Sequence, residues 1–183
     1  MVGDDVVLTA AHVVIGATDV AVQSAGAAES SGVVVALDTV TDLALVQVDA
    51  ASPVSDVTLT DFVADERATL LGGASSGDVE VDVLRRVLIN VDEVRGTSVV
   101  QRDGYEVQGA IEGGDSGAGI FDADGALGAM VFAEPSRTSG SRAGPTDRLF
   151  ATSSSAIRTL IERSDRRAHV CDPGSSRLVV SMS

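Results

Sequence analysis

Ala110-Ile111-Glu112-Gly113-Gly114-Asp115-Ser116-Gly117 runs into Ala118-Gly119-Ile120-Phe121, so a single serine sits among glycines between an apolar approach and a strand-like run. A serine hydroxyl is a weak nucleophile alone. It needs a base to take its proton and donors to hold the oxyanion that follows attack. Glycines on both sides permit unusual backbone angles and let a carbonyl approach main-chain N–H groups. By itself this is also the composition of a glycine-rich hairpin turn. The decision rests on what the rest of the chain offers such a serine.

Two stretches answer. Leu8-Thr9-Ala10-Ala11-His12-Val13-Val14 holds one of the two histidines, flanked by small and apolar residues that predict the buried end of a strand. Thr41-Asp42-Leu43-Ala44-Leu45-Val46-Gln47-Val48 sets a carboxylate immediately before an apolar strand. Alone, the first reads as a core histidine and the second as a turn aspartate. Together with Ser116 they supply the base, the orienting carboxylate and the nucleophile of a Ser-His-Asp triad, in the chain order His, Asp, Ser.

The three motifs TAAH, DLAL and GDSG in this order resemble the signature of the chymotrypsin-like (trypsin-like) serine proteases. The separations, from 12 to 42 and from 42 to 116, are short for the digestive members. They are similar to those of the compact bacterial enzymes and the Deg (high-temperature-requirement) proteases, whose approach to the serine also reads A-I-x-x-G-x-S-G. The resemblance covers roughly residues 3 to 163. It implies an all-β fold of two six-stranded-type antiparallel β-barrels, the N-terminal one incomplete, with a C-terminal α-helix. On that plan residues 1–61 form the barrel half carrying His12 and Asp42. Residues 62–163 form the half carrying Ser116 and the terminal helix, and residues 164–183 are a polar tail. The family's first strand, usually with a Gly-x-Gly-Phe-like sequence, has no counterpart before Gly3-Asp4-Asp5, so a sheet edge is expected beside His12.

The resemblance also implies roles. His12 is the general base, Asp42 orients it, and Ser116 is the nucleophile. The backbone N–H groups of Gly114 and Ser116 form the oxyanion hole. Ala110 stands at the base of the specificity pocket and Gly128 to Ala133 pairs with substrate, with Val131, Phe132 and Ala133 at the pocket. An alanine rather than an acid at the base predicts cleavage after small or medium apolar residues, not after Lys or Arg. Phe132 reads equally as a core residue. Asp115 is expected to be structural, buried and matched by an arginine, with Arg85, Arg86 and Arg102 as the candidates. The substrate is a protein or peptide, water is the second acceptor, and no metal or organic cofactor is required. The family implies an extracytoplasmic or secreted location, although Met1 is followed directly by Val2-Gly3-Asp4-Asp5, without the regions of a signal peptide. The alternative is a catalytically impaired relative acting as a binding module. An α/β-hydrolase esterase is disfavoured, because it expects G-x-S-x-G and a histidine after the serine, where only His169 follows.

Composition agrees with a single folded β-rich unit. The chain has 183 residues, 44% hydrophobic and only 3% aromatic, with 19 Gly, which suits short strands and tight turns. Net charge is −14, and all 13 basic residues are Arg. That sign disfavours nucleic acid, where phosphate contact wants cations. An acidic surface without Lys fits a halophilic source or a high-GC genome. No apolar run is long enough to span a bilayer. Cys171 is the lone cysteine, so no disulfide forms within the chain, and with His169 it offers too few ligands for a Cys/His metal site.

Period-two patterning predicts strands at Val6 to Thr9, Asp19 to Gln23, Gly32 to Leu37 and Leu43 to Val48. A linker from Ala50 to about Asp61 follows. Further strands are expected at Arg67 to Leu71 and Val79 to Val91, with a turn at Gly72-Gly73. A hairpin of Ser98 to Gln101 with Tyr105 to Gln108 is expected to turn at Asp103-Gly104. Gly117 to Phe121 and Ala126 to Ala133 form another hairpin around Asp122 to Gly125, and Arg148 to Ala151 a last strand. Pro135 to Asp147 reads as a surface loop. Ser153 or Ser154 caps a helix to about Arg163, with Ile157, Leu160 and Ile161 on one face.

Overall fold

Leu43–Val48 is buried at nearly every position, and that one strand explains how the two halves of the molecule meet. The computed structural model of the chain describes residues 5–17, 19–23, 29–49, 57–71, 77–96, 98–110, 114–133 and 148–170. The turn expected at Gly72-Gly73, the loop expected over Pro135 to Asp147 and Cys171 lie outside them.

The first half is an antiparallel sheet of β1 (Val6–Ala10), β2 (Val20–Val22), β3 (Ser30–Asp38) and β4 (Leu43–Val48), in the order β1-β4-β3-β2. A short helix, α1 (Ala11–Val14), follows β1 directly. Successive side chains of β4 point to opposite faces. Ala44, Val46 and Val48 pack with Ala11 and Val14 inside the first half. Leu43 and Leu45 turn the other way, onto Leu127, Met130, Ile157 and Leu160 from the second half. Each such aliphatic burial stabilises by about 1.5–3 kcal/mol before entropy is counted. A strand covered on both faces reads as a continuous apolar run, and DLALVQV does.

The second half closes. β5 (Glu66–Leu71), β6 (Val79–Asp92), β7 (Val99–Gly109), β8 (Gly119–Phe121), β9 (Leu127–Ala133) and β10 (Arg148–Ser153) form a barrel in the order β10-β7-β6-β5-β8-β9. Alternate residues fill it: Ala68 and Leu70, Val81 and Val83, Tyr105 and Val107, Ala129 and Val131, Leu149 and Ala151. The Tyr105 hydroxyl, the one polar group among them, accepts from the Phe62 N–H at 3.2 Å. Thr58 and Thr60 exchange backbone hydrogen bonds with Leu127, so the chain entering from the first half lies along β9.

Two expectations need correction. No hairpin turns at Asp103-Gly104: β7 runs straight through both residues, and β6 and β7 are joined instead past Asp92, where Glu93 N–H donates to the Ser98 carbonyl. Gly104 is required for a different reason, since a Cβ there would collide with the Ala151 carbonyl oxygen of β10. The terminal helix, α2 (Ser154–Val170), continues past Arg163 into the segment expected to be a polar tail. Ile157 and Leu160 do face the core. Among the described residues no helix is long and apolar enough to cross a membrane.

Candidate active site

His12 lies in the first turn of α1, two residues beyond the end of the strand that was expected to carry it. The turn is tied to Asp42 by main chain and side chain together. Ala11 N–H donates to the Asp42 carbonyl at 3.0 Å, and His12 N–H donates to Asp42 Oδ1 at 2.9 Å. The other carboxylate oxygen, Oδ2, lies 2.7 Å from His12 Nδ1. That bond places the Nδ1 proton toward the carboxylate and leaves Nε2 as the lone-pair nitrogen. The side chain of Asp42 is 4% exposed and that of His12 37%, so the carboxylate is sequestered while the imidazole opens outward.

Asp42 holds this position in a left-handed conformation, φ 60°. Aspartate tolerates that region better than most residues, at a cost of order 1–3 kcal/mol when context enforces it. The context is the second barrel. Thr39 Oγ1 donates to Glu93 Oε1 at 2.6 Å, and Val94 N–H donates to the Thr39 carbonyl. Arg102 Nε donates to the Val40 carbonyl at 2.9 Å, and Thr152 Oγ1 to the Thr41 carbonyl at 3.1 Å. Each residue of the turn before Asp42 is thus gripped by β7, β10 or the β6–β7 turn. Asp38 braces it from the other side, its Oδ1 accepting from the N–H groups of Val40 and Thr41.

Ser116 lies on the loop between β7 and β8. Gly117 N–H donates to the Val131 carbonyl at 2.9 Å, Val131 N–H to the Ala118 carbonyl, and Ala118 N–H to the Asp115 carbonyl. Gly114 has φ 111° and Gly117 φ 89°, both open only to glycine without strain. Gly117 abuts the end of β1: a Cβ there would stand 3.1 Å from Thr9 Oγ1 and 3.3 Å from the Ala10 nitrogen. The serine loop is therefore seated against the strand that leads into His12. Among the described residues no hydrogen bond joins His12 to Ser116. Ser116 itself is half-buried.

Asp115 is 1% exposed, as expected of a structural acid. The three arginines proposed for it are engaged elsewhere: Arg85 with Glu106 at 2.7 Å, Arg86 with Asp103 at 2.7 Å, and Arg102 with Asp42 at 3.6 Å. Of the pocket residues, Ala110 is exposed at the end of β7, and Val131 packs into the barrel. Phe132 is buried with its ring 4.3 Å beneath the Arg102 guanidinium, so one ring face is already taken. Ala133 ends β9. Arg102 was expected only as one of three candidate partners for Asp115; its place beside Asp42 gives no signal in the sequence around it. Among the described residues no group of three or more His, Cys, Asp or Glu is arranged to hold a metal ion.

The model of the trypsin-like peptidase domain matches residues 1–130. No curated protein matches the sequence. Solved structures share the fold at low identity. The active form of the Rv3671c protease from M. tuberculosis superposes with a TM-score of 0.80 at 19% identity, over 98% of this chain and 74% of that one. Its inactive form gives 0.72 at 21%, over 89% and 80%. The HtrA-type protease AlgW with decapeptide gives 0.68 at 20%, over 90% of this chain and 51% of that one.

Proposed function

The chain belongs to the family of trypsin-like peptidase domains, which are serine-type hydrolases, and we propose that it is an endopeptidase whose catalytic residues are His12, Asp42 and Ser116. The observation that carries the reading is the His12 Nδ1–Asp42 Oδ2 bond of 2.7 Å made to a buried carboxylate. It fixes the tautomer in which Nε2 can accept a proton, the one property a general base for serine needs.

Chemistry follows from there. Ser116 Oγ attacks the carbonyl carbon of the scissile peptide bond as His12 Nε2 takes its proton. The developing oxyanion is held by the N–H groups of Gly114 and Ser116, and each such donor is worth ~10²–10³ in turnover. Asp42 stabilises the imidazolium without taking up the proton itself. His12 then gives the proton to the leaving amine, the C–N bond breaks, and an acyl-Ser116 ester remains. Water, deprotonated by His12, attacks that ester and returns free Ser116 and a carboxylate product. Side-chain preference is assigned to Ala110, Phe132 and Ala133, whose apolar character fits small or medium apolar residues before the cut, while the Val131 side chain packs into the barrel.

A second reading, a binding module that keeps the fold without turnover, draws on the absence of a His12–Ser116 hydrogen bond among the described residues. Catalytic hydrogen bonds often tighten only when substrate is bound, so the peptidase reading is preferred. Incubation with unfolded casein separates the two. An endopeptidase yields internal fragments whose new amino termini follow small apolar residues, and Ser116→Ala yields none. Intact casein after prolonged incubation with folded protein supports the binding module.

A further inference from the structure

Arg102 is 3% exposed, and its position is hard to explain by stability. Its Nε donates to the Val40 carbonyl, its guanidinium lies on the Phe132 ring, and its Nη1 is 3.6 Å from Asp42 Oδ2. Its Nη2 is buried without a hydrogen-bond partner among the described residues. Burying a guanidinium and leaving one donor unmet is costly, and an apolar side chain of similar length would fill the same space at no such cost. What arginine adds is charge and direction at a single atom. That atom, Asp42 Oδ2, is also the one facing His12 Nδ1.

We infer that Arg102 is a positioning residue for the His12–Asp42 pair: it fixes the rotation of the Asp42 carboxylate and offsets part of the negative charge that His12 faces. The inference rests on the peptidase reading of the site. The charged groups on the elements around the pair are these. Asp42 comes from the turn before β4 and Arg102 from β7. Asp38, at the end of β3, acts on Arg102, and Arg163 of α2 lies 3.4 Å from Asp38. Asp115 lies in the serine loop, buried. Burial lowers the Arg102 pKa from the ordinary arginine value, and Asp42 and Asp38 act against that fall. Arginine starts so high that the group stays cationic over the range in which a histidine titrates.

The consequence has a definite sign. A full negative charge on Asp42 favours the protonated imidazole, which cannot act as base. Arg102, 3.6 Å from Asp42 Oδ2, opposes that charge. Removing Arg102 moves the acid limb of the reaction upward.

The test is the pH dependence of Ser116 labelling by a fluorophosphonate, which requires no knowledge of the natural substrate. In Arg102→Met the acid limb is expected to rise by about 1 pH unit, and the plateau rate to fall about 10-fold. Arg102→Lys keeps the charge but loses the planar fork; its limb stays near that of the parent while its rate falls. A folded Arg102→Met protein with an unmoved limb overturns the inference. Should the methionine variant fail to fold, the lysine variant decides, and a limb risen by the full unit overturns it. If the parent is not labelled at any pH, the peptidase reading fails. The NMR titration of the His12 ring in parent and variant then tests the Arg102 inference alone: a higher midpoint in the variant supports it, and coincident curves overturn it.

Discussion

Gly117 stands directly against Thr9: a side chain at residue 117 would place its first carbon 3.1 Å from the Thr9 hydroxyl oxygen. The loop carrying Ser116 belongs to the second barrel, while Thr9 belongs to the strand that delivers His12. Their contact joins the serine loop to the strand that leads into His12, and a Cβ there would require Thr9 to give way by a few tenths of an ångström.

Gly117→Ala therefore strikes the site twice, through the contact and through a φ of 89° that alanine resists. The loop is expected to shift by a fraction of an ångström rather than the barrels to unfold. Turnover should fall about 100-fold, with stability lowered by only ~1–2 kcal/mol. Activity assays beside thermal unfolding distinguish this from global loss of structure.

Asp42→Asn is expected to reduce kcat by about 10⁴, the loss seen when an asparagine holds the wrong histidine tautomer. It also strips Arg102 of its counter-ion in a buried setting, so stability should drop by roughly 3 kcal/mol. Adding Arg102→Met should recover part of that stability and none of the activity. Denaturant titration of the single and double variants reads the first effect, and peptide hydrolysis the second. Full activity in Asp42→Asn would transfer the orienting role to another carboxylate, with Asp38 the next to try.

Gly104→Ala tests the corrected reading of β7. A turn glycine would tolerate alanine poorly but locally, whereas a glycine wedged against the Ala151 carbonyl cannot accept a methyl group without parting β7 from β10. The expected cost is about 3 kcal/mol, visible as a lowered unfolding midpoint. A change under ~0.5 kcal/mol would contradict the close approach of the two strands.

Asp103 supplies a pH-dependent part of the stability. Its carboxylate accepts two hydrogen bonds from Arg86 and further ones from Ser153 and Ser155 at the start of α2. Arg86 chiefly, and Ser153 and Ser155 with it, hold its pKa below the ordinary aspartate value of 3.8, against the opposing effect of burial. A depressed carboxylate stabilises the fold above its unfolded value and ceases to do so as pH falls through its folded one. Asp103→Asn should thus cost about 1 kcal/mol at pH 7, a modest figure because the pair is partly exposed. The gap between parent and variant should close in strong acid. Unfolding curves at neutral and acid pH check both parts.

The features that sequence made plain are those set by local pattern. Leu43–Val48 reads as a doubly covered strand because it is one. The helix start at Ser154 and its Ile157–Leu160 face are equally direct. Asp122 was placed in its turn correctly, accepting from the N–H groups of Asp124 and Ala126. The His12–Asp42 pairing was legible only because the motifs bracket it, since its partners are 30 residues apart. What was not legible depends on contacts between distant strands. Asp103-Gly104 has the composition of a turn, yet Ala151 of β10 dictates the glycine. Arg102 could not be told from Arg85 and Arg86 as the buried cation, because nothing nearby in sequence announces Val40, Asp42 and Phe132 around it. The extension of α2 through residues 164–170 was hidden by their charge, which resembles a solvated tail.

The proposed mechanism makes Ser116 a nucleophile activated by His12. Its most direct measurement is tandem mass spectrometry of the folded protein after reaction with a fluorophosphonate. A single adduct on the peptide containing Ser116, lost in Ser116→Ala and strongly slowed in His12→Ala, is the predicted result. An unmodified Ser116 in folded protein at neutral pH, or an adduct that forms equally fast without His12, would contradict it.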